Sequence, residues 1–494
     1  MPRIAVAAVS DGGRVAPTPT TVKGVYSFMA STDAAPLADL EAYLDAQRDA
    51  FENDLCDLLS IASVSADSAY RADVRKAASW MEQHFQRLGL KTEVLETAGH
   101  PLVYAESPPV PGAPTVLVYG HYDVQPPDPL DQWLSPPFTP TKRDGNVYAR
   151  GATDDKGQML THVKSAQAWM QVRGRLPLQL KFLIEGEEEV GSKGLQAYLA
   201  SPAADKLACD AVVVSDTSQF GPGQPAITYG LRGIAYFELH VKGPRQDLHS
   251  GSFGGGVTNP ANVLAKLLAA LHDEQGRIQV PGFYDQVRPL SDYERGKLAE
   301  LPFDDAKFAA QIGVAGLSGE AGYSTLERRW ARPTCDVHGL WGGYQGEGGK
   351  TILPARAAAK LSFRLVPDQD PATIAESLRA FFEARKPPGI ELELTYMSGA
   401  PGIVVPLESP AVQAAARAIE HGFGQKPYFI REGGSIPIVM TFSKRLQADA
   451  LLLGWGLDDD NTHSPNEKFH LADYHRGIRA STWLWHVLSQ LGTL

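Results

Sequence analysis

Three short apolar runs in this chain each stop at a residue type able to bind a metal ion. Thr115-Val116-Leu117-Val118-Tyr119-Gly120 delivers His121-Tyr122-Asp123. Leu178-Gln179-Leu180-Lys181-Phe182-Leu183-Ile184 ends in Glu185-Gly186-Glu187-Glu188-Glu189. Asp210-Ala211-Val212-Val213-Val214 leads to Ser215-Asp216. Short apolar runs bounded by turn signals read as buried strands. Open α/β sheets bind ligands beyond the carboxyl ends of their strands, which is where each run ends. The second ending holds four acids in five positions, and these repel one another unless a cation or counter-charges stand among them. A solvated loop accounts for any one ending, but it must hold independently at all three to account for the set.

Between the first two runs lies Tyr148-Ala149-Arg150-Gly151-Ala152-Thr153-Asp154-Asp155-Lys156-Gly157. Two adjacent carboxylates follow a Gly-containing turn and precede a long amphipathic stretch expected to be helical. The ordinary reading is an acid at a helix start. The chemical reading is that one carboxylate has two oxygens and can bridge two divalent ions about 3.5–4 Å apart, a clamp suited to hydrolysis. Asp123, two residues after His121, can accept from the non-ligating imidazole nitrogen and set its tautomer. Far downstream, the turn Asn461-Thr462-His463-Ser464-Pro465-Asn466-Glu467 offers a second histidine. It is either a further ligand or a loop residue.

The rest of the chain frames these segments. Its 494 residues exceed one ordinary domain. With 43% hydrophobic and 21% charged residues it has the composition of a soluble globular protein. A net charge of −11 argues against nucleic-acid or anionic-membrane partners. Cys56, Cys209 and Cys335 are too widely spaced for a disulfide framework or a zinc finger and fit a reducing cytoplasm. No run reaches the roughly 18–20 apolar residues of a membrane span, and the apolar stretch at 4–9 lacks a secretory cleavage site. Residues 1–36 lack periodicity and are expected to be a loose extension, with Met29 an alternative start. Helical periodicity runs over 37–60 and 72–88, and again near the C-terminus over 471–491. From residue 230 the texture changes to half-exposed alternating strands at 233–241, 360–366 and 390–394, with helices at 259–272 and 373–385. That pattern suggests a small α+β unit inserted into an α/β domain. Residues 284–331 are charged, lack a clear period and are assigned to the inserted unit.

Taken together, the segments resemble the di-zinc metallopeptidase family of carnosinase, cytosolic non-specific dipeptidase, aminoacylase and carboxypeptidase G, and most closely the carnosinase-like dipeptidases. Five motifs occur in order: Gly120-His121-Tyr122-Asp123-Val124-Gln125-Pro126, Arg150 to Gly157, Glu185 to Ser192, Ser215-Asp216, and His463-Ser464-Pro465-Asn466-Glu467. The resemblance implies an α/β fold: a mixed-sheet di-metal exopeptidase catalytic domain in two parts, 37–229 and 396–494, with an inserted α+β lid/dimerisation domain at 230–395. It implies one metal on His121 and Asp216, a second on Glu189 and His463, and Asp154 bridging both. Glu188 would be the general base, Asp123 would orient His121, and the Asp154–Asp155 peptide would be cis. His249, within Asp247-Leu248-His249-Ser250-Gly251, would act in trans in a homodimer. Arg364, and Arg431 with Gly434 and Ser435 in Arg431-Glu432-Gly433-Gly434-Ser435, would bind substrate.

The expected cofactors are two divalent ions per subunit, zinc first, with manganese and cobalt also compatible with oxygen and imidazole donors. The expected activity is hydrolysis of dipeptides or short peptides. The alternatives are an N-acyl amino acid amidohydrolase, a non-catalytic metal-binding protein and a purely structural dimer.

Overall fold

The computed structural model describes residues 35–434 and 436–492. Most of the expected N-terminal extension, and Ser435, lie outside them. A nine-stranded sheet forms the larger layer, in the order Lys91–Leu95, Leu102–Glu106, Gln179–Glu185, Thr115–His121, Ala211–Val214, Asp449–Gly454, Ala226–Leu231 and Ile403–Val404, with Tyr428–Glu432 also paired to Ala226–Leu231. The four central strands, from Gln179–Glu185 to Asp449–Gly454, are mutually parallel. Antiparallel strands flank them, so the sheet is mixed. The parallel strands are covered on both faces, which is why they are buried almost without a break instead of alternating. Being parallel, they present His121, Glu185, Asp216 and the chain after Gly454 at one edge.

Helix Lys156–Arg173 packs on strand Thr115–His121 and on the C-terminal helix Leu471–Ser489, which also carries helix Pro410–Phe423. The sequence suggests an amphipathic helix at 156–172. Instead Lys156–Arg173 is buried on nearly every face from Lys156 to Trp169, because neighbours close over its polar side as well. The lysines it buries are satisfied locally: Lys156 Nζ donates to the Leu58 and Ile61 carbonyls at 3.2 and 2.8 Å, and Lys164 pairs with Asp54. Gly120 permits the close approach, since a Cβ there would stand 2.6 Å from Met159 Cγ and 2.7 Å from Asp155 Oδ2.

A separate four-stranded antiparallel sheet runs Thr334–Gly342, Arg356–Leu365, Gly233–Lys242, Glu391–Ala400. Strand Gly233–Lys242 alternates buried and half-buried residues without a break. Its Ala235, Phe237, Leu239 and Val241 join Leu264, Leu267, Leu378 and Phe381 of helices Pro260–Ala269 and Pro371–Glu383 in one core. The chain enters this layer at Gly233 and leaves it at Ala400. The two crossings touch, so a Cβ on Gly233 would lie 2.4 Å from the Ala400 carbonyl oxygen.

The stretch 284–331, assigned from the sequence to the inserted unit, touches both layers: Glu320 pairs with Arg277 and Arg288 with Asp368 on the inserted side. It holds three short helices, Asp292–Ala299, Asp305–Gln311 and Thr325–Trp330. Leu298, Leu301, Leu326 and Trp330 pack on Ala226 and Ile430 of the large sheet. Helices this short show no usable period, but their starts were legible: Ser291 with Glu294, and Ser324 with Glu327, form capping boxes. No helix among the described residues is long and apolar enough to cross a membrane.

Candidate metal centre

Two groups of three ligand-type side chains share Asp154: His121, Asp154 and Asp216, and Asp154, Glu189 and His463. His121 closes its strand and is fully buried. Its Nδ1 donates to the Asp123 carbonyl at 3.0 Å and lies 3.4 Å from Asp123 Oδ1. That leaves Nε2 facing inward, 3.1 Å from Asp154 Oδ1 and 4.0 Å from Asp216 Oδ2. This Nε2 is buried without a hydrogen bond of acceptable geometry. On the other side, His463 Nε2 lies 2.9 Å from Asp154 Oδ2 and 3.3 Å from Glu189 Oε2. Asp154 therefore offers one oxygen to each group. The peptide after it, Asp154–Asp155, is cis, and Asp155 Oδ2 accepts the His121 backbone N–H at 3.2 Å.

The acidic run 185–189 resolves its repulsion by dividing. Glu185 turns into the core, where it accepts from the Tyr119 and Ser192 hydroxyls at 2.6 and 2.9 Å. Burial pushes its carboxyl up to about 8. Glu187 turns outward and accepts the Gly194 N–H at 3.0 Å. Glu189 joins the metal-type group and accepts from Gln125 Nε2 at 2.7 Å. Glu188 is pushed up to about 7 by burial, with His121 opposing and Glu189 reinforcing.

The shifts at the centre record concentrated negative charge. Hydrogen bonds to the Asp154 and Glu189 carboxylates lift the His463 imidazole to about 10. Burial pulls His121 down, but Asp123, Asp154 and Asp216 outweigh it and raise it well above the usual histidine range. Asp216 is raised by burial and by Asp154 and Asp155. Burial also acts to raise Asp154, yet the two histidines hold it below the usual carboxylate range. A buried imidazole nitrogen without a hydrogen bond, ringed by carboxylates, is a donor set that fits a divalent cation. Imidazole with carboxylate oxygen is a donor combination compatible with several divalent ions.

The remaining residues singled out from the sequence stand apart from this cluster. His249 lies on the short strand Leu248–His249, paired with Ile352–Leu353, where it is exposed and its Nδ1 accepts the Ser252 N–H at 3.2 Å. Arg364 is half-buried on strand Arg356–Leu365. Arg431 is buried in an ion pair with Glu294 and stacks over Tyr229, 5.0 Å from the ring centroid. Gly434 is exposed and lines a cavity shared with Ser218 and Asp458.

Sequence reasoning assigned no role to Glu467 or Asp460, two buried carboxylates that hold the loops bearing Asp154 and His463. One signal was available. Arg150 and Glu467 are opposite charges in two motifs that already needed to meet.

Comparison with known proteins places this centre in a family. The model described as Peptidase family M20/M25/M40 matches residues 117–485. The chain is 34% identical over 471 residues to Cys-Gly metallodipeptidase dug1 of Schizosaccharomyces pombe, covering 92% of this chain and 99% of that protein. It is 32% identical over 484 residues to Beta-Ala-His dipeptidase of Homo sapiens, covering 94% and 95%. The solved M20 family metallo-carboxypeptidase of Sulfolobus solfataricus superposes with a TM-score of 0.78 at 32% identity, covering 89% of this chain and 99% of that one. This chain belongs to peptidase family M20/M25/M40 and is a metallopeptidase, an enzyme that hydrolyses peptide bonds.

Proposed function

We propose that the chain is a dipeptidase that works with two divalent ions. The observation that carries this reading is Asp154, whose two oxygens face two separate histidine–carboxylate groups. His121, Asp154 and Asp216 would hold one ion, and Asp154, Glu189 and His463 the other. When bound, the ions supply Lewis acidity toward water and toward the scissile carbonyl.

The chain's own groups do the rest. Glu188, adjacent to a ligand but outside both ligand groups, takes a proton from the attacking water and hands it to the leaving amine. Without ions bound, burial raises this carboxyl to about 7. By holding Nδ1, Asp123 turns His121 Nε2 inward, where it would be unprotonated with an ion bound. Arg364, with Gly434 and Ser435, would orient the substrate and its terminal carboxylate, with Arg431 supporting that segment. His249 would reach the oxyanion from a second subunit.

A homodimer is supported by the exposed strand carrying His249. It is also supported by the edge strand Thr334–Gly342, which leaves Leu340 62% and Trp341 37% exposed. In this scheme residues 230–395 act as lid and dimerisation unit. Zinc is the ion the donor set favours. Free thiols at Cys56, Cys209 and Cys335 support a cytoplasmic location.

The test is amino-acid release by metal-stripped protein reloaded with zinc or manganese, on dipeptides, tripeptides and N-acyl amino acids side by side. Metal-dependent release from dipeptides is expected. Release from N-acyl substrates alone would move the specificity to amide hydrolysis of the aminoacylase type, and no release from any substrate would overturn the reading.

A further inference from the structure

We infer that Glu467 is a positioning residue that fixes the spacing between Asp154 and His463, and so sets the affinity for the second ion and its coupling to the first. The inference rests on the two-ion reading above.

The two half-sites are held in different ways. His121 is anchored by its strand and is fully buried. His463 sits in an irregular loop, its side chain 54% exposed. That loop is pinned on both sides of His463 by buried carboxylates. Asp460 accepts from Leu457 N–H at 2.8 Å, Thr153 Oγ1 at 3.0 Å and Lys468 Nζ at 2.9 Å. Glu467, with no exposed surface, reaches across to the loop that carries Asp154.

Its contacts there form a cradle. Oε2 accepts from Arg150 Nη1 at 2.6 Å and from the Gly151 N–H at 3.0 Å. Oε1 accepts from the N–H groups of Thr153 and Asp154 at 3.1 and 3.2 Å. The backbone joins in, since the Ala149 N–H donates to the Glu467 carbonyl at 3.1 Å. One carboxylate four residues from His463 thus captures the amide of the bridging residue itself. The loop 151–154 lies at the head of helix Lys156–Arg173 and has few other partners for these amides. Without the cradle, three N–H groups, two of them buried, lose this acceptor and Asp154 is free to turn relative to His463. An ordinary buried ion pair would need only the contact with Arg150; the three amide contacts to the loop bearing the bridging carboxylate are what point to the metal site.

The experiment titrates Co2+ into metal-stripped full-length protein by calorimetry and records the electron paramagnetic resonance of the Mn2+-loaded form. The variants are Glu467→Gln, Glu467→Asp and Arg150→Lys. Gln keeps the volume but turns an NH2 toward Arg150 and Gly151. Asp keeps the charge beside Arg150 but draws the carboxylate back from the amides, and it serves if E467Q does not fold. Arg150→Lys perturbs the ion pair and leaves the amide contacts in place.

Wild type is expected to bind two ions and to show the signal of an exchange-coupled pair. E467Q and E467D are expected to retain the first ion, bind the second about 10–100-fold more weakly, and lose the pair signal. R150K is expected to keep both. If the Glu467 variants titrate and couple like wild type while melting lower without metal, Glu467 is a fold stabiliser only and the inference fails. A wild-type chain that binds fewer than two ions overturns the two-ion reading itself, a separate failure.

Discussion

The backbone N–H of Glu188 points at Asp123 Oδ1, 3.2 Å away, across 65 residues of sequence, and the next N–H, of Glu189, meets Asp123 Oδ2 at the same distance. Asp123 therefore sets more than the His121 ring. Both of its oxygens also fix the turn that presents the base and a metal-type ligand. Asp123→Asn would keep the shape but put an NH2 where one of these amides needs an acceptor. Activity is expected to fall by about 10–100-fold or more, with weakened ion binding. Wild-type activity in a folded D123N protein would refute this double role.

Glu188 stands beside a ligand without belonging to either group. Glu188→Gln is therefore expected to retain two ions by elemental analysis. Turnover should drop by about 10²–10⁴-fold through loss of proton transfer. Full turnover, or loss of an ion, would argue against its role as the base.

His249 is exposed, and its imidazole accepts the nearby Ser252 N–H. H249A is expected to be nearly inactive while binding two ions. Mixed with an inactive His121→Ala protein, it should recover part of the activity, because a heterodimer can assemble one intact site. If the mixture recovers nothing after subunit exchange has been verified, the trans role fails.

His162 offers a pH test away from the metal ligands. Burial holds its imidazole down to about 3, between Ser215 Oγ at 2.7 Å and Ser481 Oγ at 3.0 Å. The unfolded chain takes up a proton near pH 6.5, which the folded chain refuses until about pH 3. This stabilising contribution is therefore complete above the unfolded value and is lost as pH falls toward the folded one. Between pH 7 and pH 5 the loss amounts to about 2 kcal/mol. Denaturant unfolding of metal-stripped wild type and His162→Gln at both pH values should show a shallower dependence in the variant. Parallel slopes would exclude His162 as a source.

Much of this architecture was legible because it is local. Strands at 115–121 and 211–214 announce themselves as apolar runs and 179–185 as a largely apolar one broken by Lys181, and the acids and histidines at their ends follow from chain order. The Ser-x-x-Glu pairs at Ser291 and Ser324, which cap helices, are a local signal the sequence reading of 284–331 left unused. The order of the motifs carried the family resemblance and with it the residues now found in two groups around Asp154.

What the sequence by itself determined, then, is the strands, the ligand-type residues they deliver and the alternating pattern of the inserted layer, since each depends on neighbours within a few positions. The tertiary structure alone decided three further matters. Helix Lys156–Arg173 lost its solvent face because other helices close over it. The helices of 284–331 chose the edge of the large sheet because Leu298 and Trp330 find Ala226 and Ile430 there. Among the acids, Glu185 went to the core, Glu189 to the metal-type group and Glu467 to the amides around Asp154. A carboxylate's task depends on which donors stand within about 3 Å of it, and here those donors come from chain segments as much as 317 residues away.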